Sequence, residues 1–355
     1  MAASDASVGL VANPASGRDI RRLVARASVF PLAEKCGMIT RLLTAFGATG
    51  VRRVVMMPDR AGLTERVRRA IATHCSPDPW PEVVFPDMPV EEGPVDTLRA
   101  VAHMVRAGVG AIVVLGGDGT QRLVASACGE TPITPLSTGT NNVFPEILEA
   151  TIAGLATGLV ASGRVSKRAT TIRHKVLRVE INGASRGLAL VDVCVACQGW
   201  IGSKALWRPE TLSQIFVAFA GASAIGLSSV AGLLCPVSRR DAHGLRVDLA
   251  PLEEAPVVVN APIAPGLMAP VGVAGVWRIH CDERQSVRLS EGVIALDGER
   301  EIEFEPGEQV TLRLENRGPY TIDVERVMAR AARDGLLLAR PRPRAGKEVS
   351  TYAAR

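Results

Sequence analysis

Residues Gly116-Gly117-Asp118-Gly119-Thr120 follow directly on the apolar run Ala111–Leu115, AIVVL. An uninterrupted apolar run ended by glycines is how a strand buried on both faces of a parallel sheet reads. Glycines lack Cβ, tolerate positive φ and let a backbone come close to a ligand. Asp118 is then carried at the carboxyl end of the strand, the side on which open α/β sheets bind ligands. Thr120 opens a helical stretch, Gln121 to Cys128, whose first amides can face an anion. A phosphate cradle holding one carboxylate points to phosphoryl transfer, with a plain turn as the bland alternative.

Two more loops of similar chemistry end apolar runs. Val8–Ala12 leads into Asn13-Pro14-Ala15-Ser16-Gly17, and Ile133–Leu136 leads into Ser137-Thr138-Gly139-Thr140-Asn141-Asn142. Runs at Val51–Met57 and Glu82–Phe85, with helical patterns at Leu63–His74 and Val95–Ala107, complete an alternation of strand and helix. That alternation predicts a parallel, Rossmann-like sheet with right-handed crossovers, in which the three loops converge on one edge.

The pattern changes near Gly163. VLRVEI, the turn pair Asn182-Gly183 and GLALVDVCVA read as a hairpin, and residues 287–314 offer several short alternating strands. The expected organisation is an α/β nucleotide-binding domain over 1–163 and a mainly β domain over 164–316. A segment at 317–339 should return to the first domain, with Val324, Val327, Met328 and Ala331 on one helical face. A loosely ordered tail is expected at 340–355.

Composition narrows the class. Of the 41 basic residues 36 are arginine, scattered and without interleaved aromatics, which argues against a nucleic-acid platform. The seven cysteines are irregularly spaced, which fits a reducing cytoplasm. Cys194-x-x-Cys197 lies in an apolar strand and has no second pair to make a metal site. Ile215–Val237 has no charged residue and reaches spanning length, yet its glycines and serines favour a buried or ligand-lining segment over a membrane span.

Taken together, NPASG (13–17), GGDGT (116–120), STGTNNVFP (137–145) and LDGE (296–299) resemble, in order, the motifs of the superfamily of NAD kinases and diacylglycerol kinases. Within it, VANPASGRDIRRLVARASVF and LSTGTNNVFPEILEATIAGLATGLVA look most like ATP-NAD kinase relatives of the acetoin catabolism protein X type. GASAIGLSSVAGLL (221–234) is similar to the segment with which NAD kinases line the dinucleotide site, with Ile225 where they have tyrosine.

The resemblance implies a two-domain kinase using ATP and Mg²⁺ to phosphorylate the 2′-hydroxyl of NAD, expected as a cytoplasmic homo-oligomer. Asn13, Ser16, Gly17, Gly116, Gly117, Gly119, Thr120, Thr138, Gly139, Thr140, Asn141 and Asn142 would hold nucleotide. Ser223, Ala224, Ile225 and Ser228 would meet the acceptor. Asp118 would take the hydroxyl proton or sit on Mg²⁺. Asp297 corresponds to the suggested base of the lipid kinases, and Glu299 would help hold the metal. Asp297-Gly298 also reads as a hairpin turn. Two other functions fit the same motifs: a kinase of another hydroxyl, such as a lipid, and a nucleotide-binding regulator linked to acetoin catabolism that kept the cradle and lost turnover.

Overall fold

The computed structural model describes residues 6–16, 30–75, 80–139, 141–197 and 209–338. Gly17, Thr140 and the tail at 340–355 lie outside them. The first sheet contains β1 (Ser7–Ala12), β2 (Arg53–Met56), β3 (Glu82–Val84), β4 (Ala111–Gly116) and β5 (Ile133–Ser137), parallel and ordered β3-β2-β1-β4-β5. Every residue of β4 and β5 is buried; β4 is apolar throughout, and in β5 the Thr134 hydroxyl is satisfied by Thr157 Oγ1 at 2.7 Å. Helices Leu32–Ala48, Leu63–Ala72 and Ala150–Ala161 cover one face through Leu42, Phe46, Val67 and Ala153. Helices Pro94–Arg106 and Asp118–Ala127 cover the other through Val101, Met104 and Val124.

Strand order reverses between β1 and β4, so their carboxyl ends open a crevice between loops that lead to opposite sides of the sheet. Beyond β5 the sheet continues with Tyr320–Ile322, parallel to β5, and then antiparallel β6 (Thr171–Arg173). Helix Val324–Arg333 follows, with Val327 and Ala331 buried against Leu159 and Val160.

The remainder is antiparallel. One sheet is ordered β12-β13-β11-β10-β9-β15-β16, with β9 (Asp192–Ala196), β10 (Leu212–Val217), β11 (His243–Leu249), β12 (Val257–Ala264), β13 (Leu267–His280), β15 (Gly292–Leu296) and β16 (Glu299–Phe304). The other is β14-β17-β7-β8, formed by β14 (Arg284–Ser286), β17 (Val310–Glu315), β7 (Val176–Ile181) and β8 (Ala184–Ala189). Asn182-Gly183 turns β7 into β8 with φ of 53° and 78°, the left-handed pair that a two-residue hairpin requires. Val179, Phe216 and Ile294 share one continuous core with Ile112 and Val124, so the two halves are packed together rather than tethered.

Two details depart from the sequence reading. The helix after the glycine loop begins at Asp118, not after Thr120. GLALVDVCVA is two strands, broken at Leu190-Val191 between β8 and β9. The charge-free stretch 215–237 is the end of β10, a turn and the short helix Ser228–Leu234, and among the described residues no helix is long and apolar enough to cross a membrane.

His174 sits where the chain leaves the first sheet. Its Nε2 lies 2.7 Å from Thr321 Oγ1, its ring meets the Phe144 ring edge-on at 5.1 Å, and its Nδ1 is buried without a partner among the described residues. Burial, with nearby Arg239 and Lys175, pushes its pKa down to about 3. Folding therefore favours the neutral ring: its contribution is complete above the ordinary value near 6.5 and is lost as pH falls toward 3. Denaturant midpoints should thus fall between pH 6.5 and 4 more steeply in the native protein than in His174→Gln. Parallel curves would contradict this placement.

Candidate functional site

The carboxyl ends of β1, β4 and β5 carry three loops that are tied to one another. Asn13 N–H donates to Leu115 O (3.0 Å), and Asn13 Nδ2 donates to Thr120 Oγ1 (2.9 Å), joining the first loop to the glycine loop. Ser16 Oγ and Thr138 Oγ1 lie 2.7 Å apart, joining the first loop to the third. Asn142 Nδ2 donates to Ser137 Oγ (2.8 Å), which itself donates to Gly139 O. Beneath the first loop the fully buried Lys35 ammonium donates to Asn13 O, Pro14 O and Ser16 O at 2.8–3.0 Å. A lysine buried in this way is held by the carbonyls it satisfies, and they by it.

The loop glycines answer to close packing rather than to positive φ, which none of Gly116, Gly117 and Gly119 adopts. A Cβ on Gly116 would lie 2.6 Å from Thr120 Cβ, and one on Gly117 would lie 2.8 Å from Asn142 Oδ1. On Gly119 it would stand 3.3 Å from both Glu299 carboxylate oxygens. Asn142 therefore fits between Gly117 and Gly139, and Glu299 reaches across from β16 to lie over the start of helix Asp118–Ala127. The first amides of that helix have no carbonyl one turn earlier to bond, and Gly119 and Thr120 carry two of them.

Both motif aspartates face backbone amides. Asp118 accepts from Val143 N–H (3.0 Å to Oδ2) and Phe144 N–H (2.8 Å to Oδ1). Asp297 occupies the hairpin turn with φ of 51°, followed by Gly298 at 80°, so the turn and the carboxylate position coincide. Its side chain, wholly buried, accepts from Leu190, Val191 and Asp192 N–H at 2.8–3.3 Å. That is the physical reason GLALVDVCVA breaks in two: at the break, amides turn to the carboxylate. Burial pushes Asp297 up to about 8, with repulsion from Asp192 and Asp118 adding to it; Arg122, 3.6 Å away, and the Val191 amide oppose the shift without overcoming it.

Mg²⁺ is held by one or two carboxylates, with water and substrate phosphates completing its shell. Glu299 lies beside Gly119, while both Asp118 carboxylate oxygens accept backbone amides. Among the described residues no group of three or more His, Cys, Asp or Glu could hold a metal unaided.

The segment 221–234, expected to meet the acceptor, leaves the core beside this site. Phe219 lies 6.4 Å from Phe144, centroid to centroid, and the turn 221–226 follows it. Ser223 is exposed, Ala224 and Ile225 are half-buried, and Ser228 is fully buried with its hydroxyl unpartnered among the described residues. Asn141, half-buried, likewise has neither amide atom bonded among them.

Comparison with known proteins follows the same division. Residues 8–165 match the ATP-NAD kinase N-terminal domain, and residues 175–317 match the Acetoin catabolism protein X C-terminal domain. The chain is 47% identical over 343 residues to Acetoin catabolism protein X of Cupriavidus necator, spanning 95% of this chain and 96% of that protein. The chain belongs to the acetoin catabolism protein X family. Among solved structures, yeast NADH kinase complexed with NADH aligns over 96% of this chain and 90% of its own, at 16% identity and a TM-score of 0.49. An NAD kinase from Archaeoglobus fulgidus in complex with ATP aligns over 81% and 99%, at 15% and 0.37.

Four residues of the site escape a motif-based reading: Lys35, Arg122, Asp192 and Arg239. Arg122 follows Asp118 by one helical turn, a spacing that signals a shared face once the helix start is known. Lys35 is one of only five lysines and stands in the amphipathic pattern of helix Leu32–Ala48 at a buried position, which was a usable signal. Replacing it by methionine keeps the stem and leaves three carbonyls without their donor. Lys35→Met should cost about 1–3 kcal/mol or more in denaturant unfolding, the range for buried polar groups left unsatisfied. An unchanged midpoint would show that the carbonyls find water instead.

Proposed function

We propose that this chain is a nucleotide-binding protein of acetoin catabolism that cradles the phosphates of MgATP at the β1, β4 and β5 ends and turns over weakly, if at all, on the 2′-hydroxyl of NAD. The acetoin link rests on the name of the Cupriavidus necator relative. The amides of Gly119 and Thr120, with the hydroxyls of Ser16, Thr138 and Thr140, would meet phosphate oxygens. Asp118 and Glu299 would hold Mg²⁺, which when bound supplies charge neutralisation between phosphates. One observation carries the weak-turnover reading: both carboxylates suited to take the acceptor's proton are already oriented by backbone amides, Asp118 by Val143 and Phe144, Asp297 by Leu190, Val191 and Asp192. Ile225, in the acceptor segment, also brings no aromatic face to a nicotinamide or adenine ring. The same reading has the protein working in the cytoplasm as an assembly of identical chains, divided into domains near residues 163 and 316.

Calorimetric titration with MgATP should show binding, while NADP formation should run at least about 10²-fold below a typical enzyme turnover of about 10 s⁻¹, the factor a positioned base contributes. NADP formed at ordinary kinase rates would overturn the reading.

A second reading, a kinase for another hydroxyl acceptor, is favoured by the position of Asp297, whose pKa near 8 lies in the range of an effective general base. As a base it must be ionised, so transfer to such an acceptor would rise with pH through about 8. Asp297→Asn would abolish that rise and leave MgATP binding intact. A pH-independent rate, or none with lipid and polyol acceptors, would remove this alternative.

A further inference from the structure

Arg239 lies outside every sequence motif, yet it meets the glycine loop's own partner. Its Nη2 donates to Val143 O (2.9 Å) and Phe144 O (2.6 Å), the carbonyls of the two residues whose N–H groups Asp118 accepts. Its guanidinium lies 5.0 Å from the Phe144 ring centroid and 4.4 Å from that of Phe219. Burial lowers its pKa, and nearby Glu146 and Asp118 work against that shift, so the charge is largely taken out of water and compensated from the first domain. Ala220 and Val237 exchange both backbone hydrogen bonds at 2.9 Å, closing the neck of the acceptor segment 221–236. Arg239 stands two residues beyond that neck and Phe219 one residue before it.

The peptide at 143–144 is thus gripped from two sides, its amides by Asp118 and its carbonyls by Arg239. We infer that Arg239 is a positioning residue through which the second domain sets the orientation of Asp118 in the nucleotide loop. The inference rests on the MgATP reading above and adds a link between the acceptor segment and the nucleotide site. The link is a contiguous set of bonds, so a displacement of the neck is carried to the peptide and then to Asp118. The plainer alternative is that Arg239 only fills the space between two aromatic rings.

A double-mutant cycle on the MgATP Kd, measured by calorimetry, separates the two. Arg239→Gln and Asp118→Asn should each weaken binding by on the order of tenfold, and the double variant should be no weaker than the worse single one, because contacting residues in one network couple. Multiplied losses in the double variant would overturn the inference, as would a wild-type Kd in either single variant. Arg239→Lys keeps a charge and a donor and should recover part of the loss; it also serves in the cycle if the glutamine variant does not fold. Native protein that binds no MgATP would overturn the functional reading, and amide exchange of Val143 and Phe144 then decides the inference by itself. Faster exchange of both in the Arg239 variant supports it, and unchanged protection overturns it.

Discussion

Buried carboxylates that accept backbone amides are the constraint around which this site is built. A peptide N–H taken out of water needs an acceptor, and wherever a strand stops short of its ladder that acceptor has to come from a side chain. Asp297 serves the amides at the break between β8 and β9, and Asp118 serves those at the start of the segment following β5. The first adds a side-chain tie to the ladder that already pairs β15 with β9, and the second adds one between the glycine loop and the chain beyond the third loop. Each aspartate therefore joins elements far apart in sequence, 105 to 107 residues for Asp297 and 25 to 26 for Asp118.

These structural duties compete with the chemical role that the motifs suggest. Asp297 shows which effect wins. Amide donors and Arg122 favour the ionised form, while burial and the neighbouring carboxylates of Asp192 and Asp118 disfavour it, and the latter prevail. Asp297 is therefore held well above the ordinary carboxylate range. Proteins tend to place such shifted groups at functional sites, though structural networks produce them too.

Most of the framework was legible in the sequence for a simple reason. Strands covered on both faces are mostly apolar, so β1, β4 and β5 stood out within a residue or two of their observed limits, and the polar loops after them had to share an edge. The Asn182-Gly183 and Asp297-Gly298 turns were legible because few residues accept the left-handed conformation. What escaped were the long-range polar ties. The helix pattern marks Lys35 as buried but not its partner, a loop 19 to 22 residues earlier, and nothing local marks Arg239 as the donor to carbonyls 95 and 96 residues away. The break at Leu190-Val191 escaped as well, because its cause is a carboxylate more than a hundred residues distant. Of the two reasons given for the glycines, positive φ does not hold at Gly116, Gly117 or Gly119; the side chains of Thr120 and Asn142 are what leave no room for a Cβ at Gly116 and Gly117.

The most direct test of the central claim, a phosphate cradle whose aspartates keep their backbone amides, is a crystal structure of the protein with MgATP. It should place the phosphates against the amides of Gly119 and Thr120 and near Ser16 and Thr138. Asp118 should still accept from Val143 and Phe144, and Asp297 from Leu190 to Asp192. Phosphates bound elsewhere, or Asp297 swung off its amides toward an acceptor hydroxyl, would contradict it.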